Sequence, residues 1–249
     1  MTEPEHGPWL VEVAGAAPAD GDEVFYAVPH AGAGVAAVRD LCRAVGRFAV
    51  PVAVRLPGRE ARMKEEPLRD LHMMAEGAAE AIAVHAQGRP ITVYGHCSGA
   101  IVAFEVVRRL TGCDVRTLFL SAHEPPDRVL REGAHRFPLD RFVRRVAADG
   151  YVPDFVLDDD ELLELLVPAL RADYEAIETY HCVAGATVEP GIVGLLGTAD
   201  TAVDQQDFTA WSAFTEGGFR LHRLDGGHNL LLDRSDAVAD AIAAGSGWN

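Results

Sequence analysis

Short, nearly continuous apolar runs alternate along this chain with longer stretches in which apolar positions recur every three or four residues. The runs at 23–29, 50–56, 90–95, 117–122, 191–197 and 219–224 are rich in Val, Leu, Ile and Phe. Most are not strictly alternating, so they predict strands covered on both faces. The segments 35–46, 68–87, 98–111, 204–214 and 233–243 carry the helical period. Residues 9–13 predict a further edge strand. Strands and helices in rotation predict a mostly parallel sheet flanked by helices.

The rotation stops between Ala122 and Gly191. A crossover needs about a dozen residues, and this interval is several times longer. It holds a Pro125-Pro126 turn, an amphipathic helical pattern at 139–148, and a long one from Asp158 to about His181. Leu162, Leu163, Leu166 and Val167 give the long pattern an apolar face, and Pro168 predicts a break in it. The expectation is a single domain over 1–249 with an inserted helical lid at 123–190.

Composition narrows the function. With 49% hydrophobic residues, 249 positions are enough for one large core. A net charge of −16 argues against nucleic acid, whose phosphates need a basic face, and against an anionic membrane surface. No apolar stretch approaches the roughly 20 residues of a bilayer span, and the acidic, polar start leads us to expect no leader. A cytoplasmic monomer is expected. Cys42, Cys97, Cys113 and Cys182 have no close pairing, so they describe neither a disulfide framework nor a zinc site.

Candidate chemistry centres on Gly95-His96-Cys97-Ser98-Gly99, between a predicted strand and a predicted helix. Glycines two positions either side of a central residue mark a sharp strand-to-helix turn that exposes a nucleophile. The α/β-hydrolase form of this elbow is G-x-S-x-G, followed in the chain by an acid and then a histidine. Here the nucleophile is Cys97. His228, in Gly226-Gly227-His228 after the last predicted strand, is the candidate base. Asp200, after the strand at 191–197, is the candidate acid, with Asp204 and Asp207 as rivals that also suit a helix start. One oxyanion donor is the N–H of Ser98. The other belongs to the small-residue loop Pro29-His30-Ala31-Gly32-Ala33-Gly34, at Ala31 or alternatively Gly32. That loop lacks the lysine of a phosphate-binding P-loop.

These motifs together resemble the type II thioesterases of nonribosomal peptide and polyketide synthesis. Pro29-His30-Ala31-Gly32 resembles that family's oxyanion loop, and Leu56-Pro57-Gly58-Arg59-Glu60 its P-G-R-E segment. Tyr94 to Ala100 with Val102-Ala103-Phe104-Glu105 resembles the elbow and its helix, Leu170-Arg171-Ala172-Asp173-Tyr174 the lid helix, and Gly226-Gly227-His228 the histidine loop. The resemblance implies an α/β-hydrolase fold and no cofactor beyond the phosphopantetheine arm of an acyl or peptidyl carrier protein, from which acyl or aminoacyl groups are removed in trans. It carries nucleophile, acid and base onto Cys97, Asp200 and His228, and the oxyanion donors onto Ala31 and Ser98. Two departures stand out. Cys97 replaces the family serine, and Gly197-Thr198-Ala199-Asp200 keeps only the last aspartate of Gly-Asp-x-Asp.

A cysteine changes the energetics. Exchange of a thioester onto Cys97 makes another thioester, so the acyl group stays activated toward a second carrier as well as toward water. Transfer between carriers is therefore the alternative to hydrolysis. A lactone hydrolase of the dienelactone type also uses G-x-C-x-G, but the 123–190 insertion and the Pro-Gly-Arg-Glu segment do not suit it. A non-catalytic partner of a synthase is a further alternative. Carrier proteins are usually acidic, as this chain is, so docking calls for a local basic patch. Arg128, Arg131, Arg136, Arg141, Arg144 and Arg145 are the candidates. Arg59 and Glu60 could form an ion pair that fixes a loop near the entrance.

Overall fold

A computed structural model of the chain describes residues 8–13, 23–148, 157 and 159–248. Seven strands, β1 (Leu10–Glu12), β2 (Val24–Val28), β3 (Val50–Val54), β4 (Ile91–His96), β5 (Val115–Ser121), β6 (Gly191–Gly197) and β7 (Phe219–Leu224), form one sheet in the order β1-β3-β2-β4-β5-β6-β7. All neighbours are parallel except β1, which runs antiparallel to β3 at the edge. All residues of β2 and β4 are buried, which explains their unbroken apolar character. This is the α/β-hydrolase architecture.

Helices cover both faces. On one lie α1 (Val35–Val45) and the C-terminal helix; on the other, α2 (Leu71–Ala86) and α3 (Ser98–Arg109). The α2 helix starts at Leu71 rather than 68 because Asp70 caps it, accepting from the N–H groups of His72 and Met73. The inserted segment supplies α4 (Leu139–Ala147) and α5 (Asp160–Thr179). Residue 158, where the long pattern was expected to begin, lies outside the described residues. The expected break at Pro168 is absent: α5 runs through it. Pro168 sits on the exposed side, and Glu164, whose carbonyl loses its donor, is also exposed, so water can satisfy the freed acceptor. The pattern at 204–214 becomes α6 (Gln205–Thr209) and a 3₁₀ turn (Ala210–Phe214). The last pattern divides into α7 (Leu230–Asp233) and α8 (Ser235–Ser246), because Arg234 leaves helical geometry. Among the described residues no helix is long and apolar enough to cross a membrane.

The topology fixes where a site can form. β2 has β3 on one side and β4 on the other. Chain leaving the C-terminal ends of β2 and β4 therefore diverges and opens a crevice, the usual ligand position in open α/β sheets. The loops after β6 and β7 open on the same edge.

Candidate active site

Cys97 joins β4 to α3 with φ 51° and ψ −131°, a left-handed conformation that a side chain adopts only under local constraint. The flanking glycines supply the constraint. A Cβ on Gly95 would lie 2.2 Å from Gly99 O, and one on Gly99 would lie 2.4 Å from Pro29 O. Backbone packs where side chains would otherwise be, and the turn lifts Cys97 to the sheet edge at the positive end of α3.

The loops carrying Asp200 and His228 are laced together. Thr198 N–H donates to Leu224 O at 2.8 Å and Ala199 N–H to Gly226 O at 2.9 Å. His228 Nδ1 lies 3.0 Å from Asp200 Oδ2. The Asp200 side chain is fully buried, and its Oδ1 accepts from the N–H groups of Ala202 (2.8 Å) and Val203 (3.1 Å). Burial works against its charge, but the His228 hydrogen bond and charge and these two donors outweigh it and hold the pKa below the usual value. Burial likewise works against charge on His228. Hydrogen bonds and charge from Asp200 and Cys97 overcome it and lift the imidazole from 6.5 to about 10. Asp200 is thus hydrogen-bonded to His228, whose charge both Asp200 and Cys97 favour.

In the loop after β2, Gly32 N–H donates to Asp173 Oδ2 at 2.7 Å. That occupies the alternative oxyanion donor. Among the described residues, neither Ala31 N–H nor Ser98 N–H makes a backbone–backbone hydrogen bond. Ala31, Cys97, Ser98 and His228 line a common cavity of about 170 Å³. Its far wall comes from the inserted segment, including Val146, Leu170, Tyr174 and Ile177.

Three more imidazoles lie near. Burial lowers His30 to about 4. His96 is fully buried, with its ring centroid 6.1 Å from that of His228 and 6.3 Å from that of His30. Burial, then the neighbouring imidazoles, push it well below the ordinary value, and its Nδ1 lies 3.1 Å from Ser121 Oγ. Burial also lowers His123, whose Nδ1 donates to Glu124 O at 2.7 Å. His228 differs from them in standing between a buried carboxylate and a thiol.

The thioesterase domain model matches residues 24–245. The chain belongs to the thioesterase family. It is 34% identical over 249 residues to the phenyloxazoline synthase MbtB of Mycobacterium tuberculosis, an alignment that takes in 97% of this chain but spans only 17% of that protein's length. It is 28% identical over 213 residues to the gramicidin S biosynthesis protein GrsT of Aneurinibacillus migulanus, covering 84% of this chain and 83% of GrsT. Among solved structures, the type II thioesterase BorB from the borrelidin biosynthetic cluster superposes with a TM-score of 0.85 at 31% identity, covering 99% of this chain and 100% of that one. The match to BorB places the chain with the type II thioesterases.

Other residues of this thioesterase divide by what they touch. Asp204 caps α6, accepting from Gln206 N–H at 2.7 Å and Asp207 N–H at 3.2 Å, and Asp207 pairs with Arg128. Neither is placed on His228 as Asp200 is. Arg59 does not pair principally with Glu60, as the sequence suggested. It grips Asp173 of α5 through two bonds of 2.7 and 2.8 Å, while Glu60 accepts from Ala36 N–H at the start of α1. Nothing in local spacing marks the Arg59–Asp173 contact, which joins positions far apart in the chain. Arg171 braces the inserted segment by donating to His135 O and Phe137 O and lying over the Phe142 ring. Of the six arginines expected to form a basic patch, Arg128, Arg144 and Arg145 are bound to Asp207, Asp140 and Glu132. Half of that patch is therefore neutralised locally. Among the described residues no cluster of His, Cys, Asp and Glu is arranged to hold a metal ion.

Proposed function

We propose that this thioesterase hydrolyses acyl or aminoacyl thioesters carried on the phosphopantetheine arm of an acyl or peptidyl carrier protein, through a Cys97-His228-Asp200 triad and a covalent acyl–Cys97 intermediate. The observation that carries this reading is the Asp200–His228 hydrogen bond beside Cys97, with His228 and Cys97 lining one largely apolar cavity. An imidazolium beside a thiol favours the thiolate, the nucleophilic form. The Cys97 sulfur attacks the thioester carbonyl, and the negative charge on oxygen is met by the N–H groups of Ala31 and Ser98. Collapse breaks the bond to the pantetheine sulfur, which leaves with the proton of His228. The imidazole, now neutral, takes a proton from water as it attacks the acyl–Cys97 carbonyl. His228 returns that proton to the Cys97 sulfur as the acid is released. Asp200 orients the ring and stabilises its charge throughout. The segment 123–190 acts as the lid of the acyl chamber. BorB and GrsT belong by their names to biosynthetic assembly, which supports a carrier-bound substrate.

The identity of the nucleophile favours a second reading, transfer of the acyl group to another carrier, because acyl–Cys97 keeps the activation of the original thioester. Intact-mass measurement after mixing the protein with an acyl-pantetheine thioester tests both. The expected result is one acyl mass added at Cys97, absent in C97A, with free acid formed at a rate that an empty acceptor carrier does not change. Loss of the acyl mass from Cys97 with the same mass appearing on the acceptor carrier, and no matching free acid, would select transfer. Undiminished turnover by C97A would remove both.

A further inference from the structure

We infer that Arg59 and Asp173 are positioning residues for the oxyanion loop, so that the donor at Ala31 keeps its orientation only while α5 is seated on that loop. This rests on the proposed acyl–Cys97 chemistry and adds to it what holds the oxyanion site in shape.

The two side chains are 5% and 6% exposed, and they meet in a two-pronged pair. From this pair two bonds reach the loop: Asp173 Oδ2 accepts from Gly32 N–H at 2.7 Å, and Arg59 Nη1 donates to Ala33 O at 3.1 Å. A third, from Arg59 Nε to Pro57 O at 3.3 Å, fixes the guanidinium to its own loop. Within the turn, Ala33 N–H donates to His30 O at 3.1 Å. That carbonyl shares a rigid peptide plane with Ala31 N–H, so holding one aims the other. Gly32 lies in the left-handed region at φ 71°, and a Cβ there would sit 2.6 Å from Leu170 Cδ1. Leu170 and Asp173 are neighbours on one face of α5. The helix therefore presses on the loop with one residue and bonds it with the other. If it lifts, the Gly32 bond and the Leu170 contact go together.

The variant pair R59M/D173L and R59M/D173N separates positioning from stability. Replacing both members of a buried ion pair with apolar groups is often neutral for folding, whereas removing one strands a charge. The second variant keeps an amide oxygen for Gly32 N–H. Turnover of an acyl-pantetheine thioester needs the oxyanion site, whereas alkylation of Cys97 by iodoacetamide passes through no oxyanion. In R59M/D173L the expected result is a kcat lower by about 10- to 100-fold with KM little changed. Its alkylation rate should stay near that of the wild type even though Tm falls as Gly32 N–H, Ala33 O and Pro57 O lose their partners, and R59M/D173N should recover part of the lost kcat. Wild-type kcat in R59M/D173L overturns the inference. So does an alkylation rate that falls in step with kcat, which would mean damage to the thiol–imidazole pair or the fold. C97A run in parallel identifies the other failure: if it turns over normally, the covalent reading fails and the inference falls with it.

Discussion

The charge on His228 can be tested directly by titration. Its pKa is raised from 6.5 to about 10 by Asp200 and Cys97, against the effect of burial. A raised folded-state pKa gives stability that is fully present below the unfolded value and is lost as pH rises through the folded one. The Asp200 carboxyl is held down, so its contribution appears above its unfolded value and is lost in acid. Wild type should therefore exceed D200N in thermal midpoint most clearly near pH 6, and by less at pH above about 10. A gap that widens toward alkaline pH would contradict the charged pair. The thiol gives a second readout. In H228A, alkylation of Cys97 by iodoacetamide at neutral pH should slow by about 10-fold, because the thiol loses the imidazole that stands beside it. Cys97, Asp200 and His228 could be singled out as candidates in the sequence because an elbow, an acid after a strand and a histidine loop each leave local glycine or strand-end marks. The choice between Ala31 and Gly32 was not. It depends on Asp173, which reaches Gly32 from a helix that local spacing cannot place.

At the scale of elements, the inserted segment is joined to the body by polar contacts as well as apolar packing. Glu105 on α3 has a fully buried carboxylate held by Arg108, Arg109 and the hydroxyl of Tyr180, which donates to Oε1 at 2.7 Å just beyond the end of α5. Burial disfavours that carboxylate's charge, but Tyr180 and the two arginines outweigh it and lower its pKa. Y180F removes a donor from a buried charge and should reduce unfolding free energy by about 1.5–3 kcal/mol in urea titrations. A loss near zero would mean that water replaces the hydroxyl. Pro168 gives the opposite expectation. A proline inside a helix is about 3 kcal/mol less favourable than alanine. Because α5 runs through it on an exposed face, P168A should stabilise the protein by up to about that amount. The strands and most helices were legible from apolar period. The continuity of α5 was not, because a proline signals a lost hydrogen bond without saying whether packing on both sides keeps the helix straight. Here the buried residues Ala169, Leu170, Ala172, Ala176 and Ile177 anchor only the half after Pro168, while the turns before it lie nearer the surface.

The net charge of −16 belongs to the whole molecule, and it bears on how the proposed carrier-protein substrate would approach. The sequence suggested an arginine cluster as the local remedy for repulsion between two acidic proteins. Its members were legible as positive charges, and Asp140, four residues before Arg144 on a predicted helix, was a readable partner, but Asp207 and Glu132 were not, since only the fold brings them to Arg128 and Arg145. With half of the cluster neutralised, long-range repulsion should persist at low ionic strength. Screening length falls from about 30 Å at 0.01 M salt to about 8 Å at 0.15 M. KM for an acidic acyl-carrier substrate should therefore fall as salt is raised over this range, while KM for an uncharged acyl-pantetheine thioester should stay constant. The small substrate is the control, because it shares the cavity and the chemistry but not the docking surface. If KM for the carrier instead rises with salt, attraction at a local basic face dominates. Arg131, Arg136 and Arg141 would then be the residues to reverse. Arg131 is bound to Tyr180 O, Arg136 to His135, and Arg141 lies over the Phe137 ring, contacts that leave their charge uncancelled by any carboxylate named above. Charge reversal at these three should abolish such a rise without altering kcat on the pantetheine thioester.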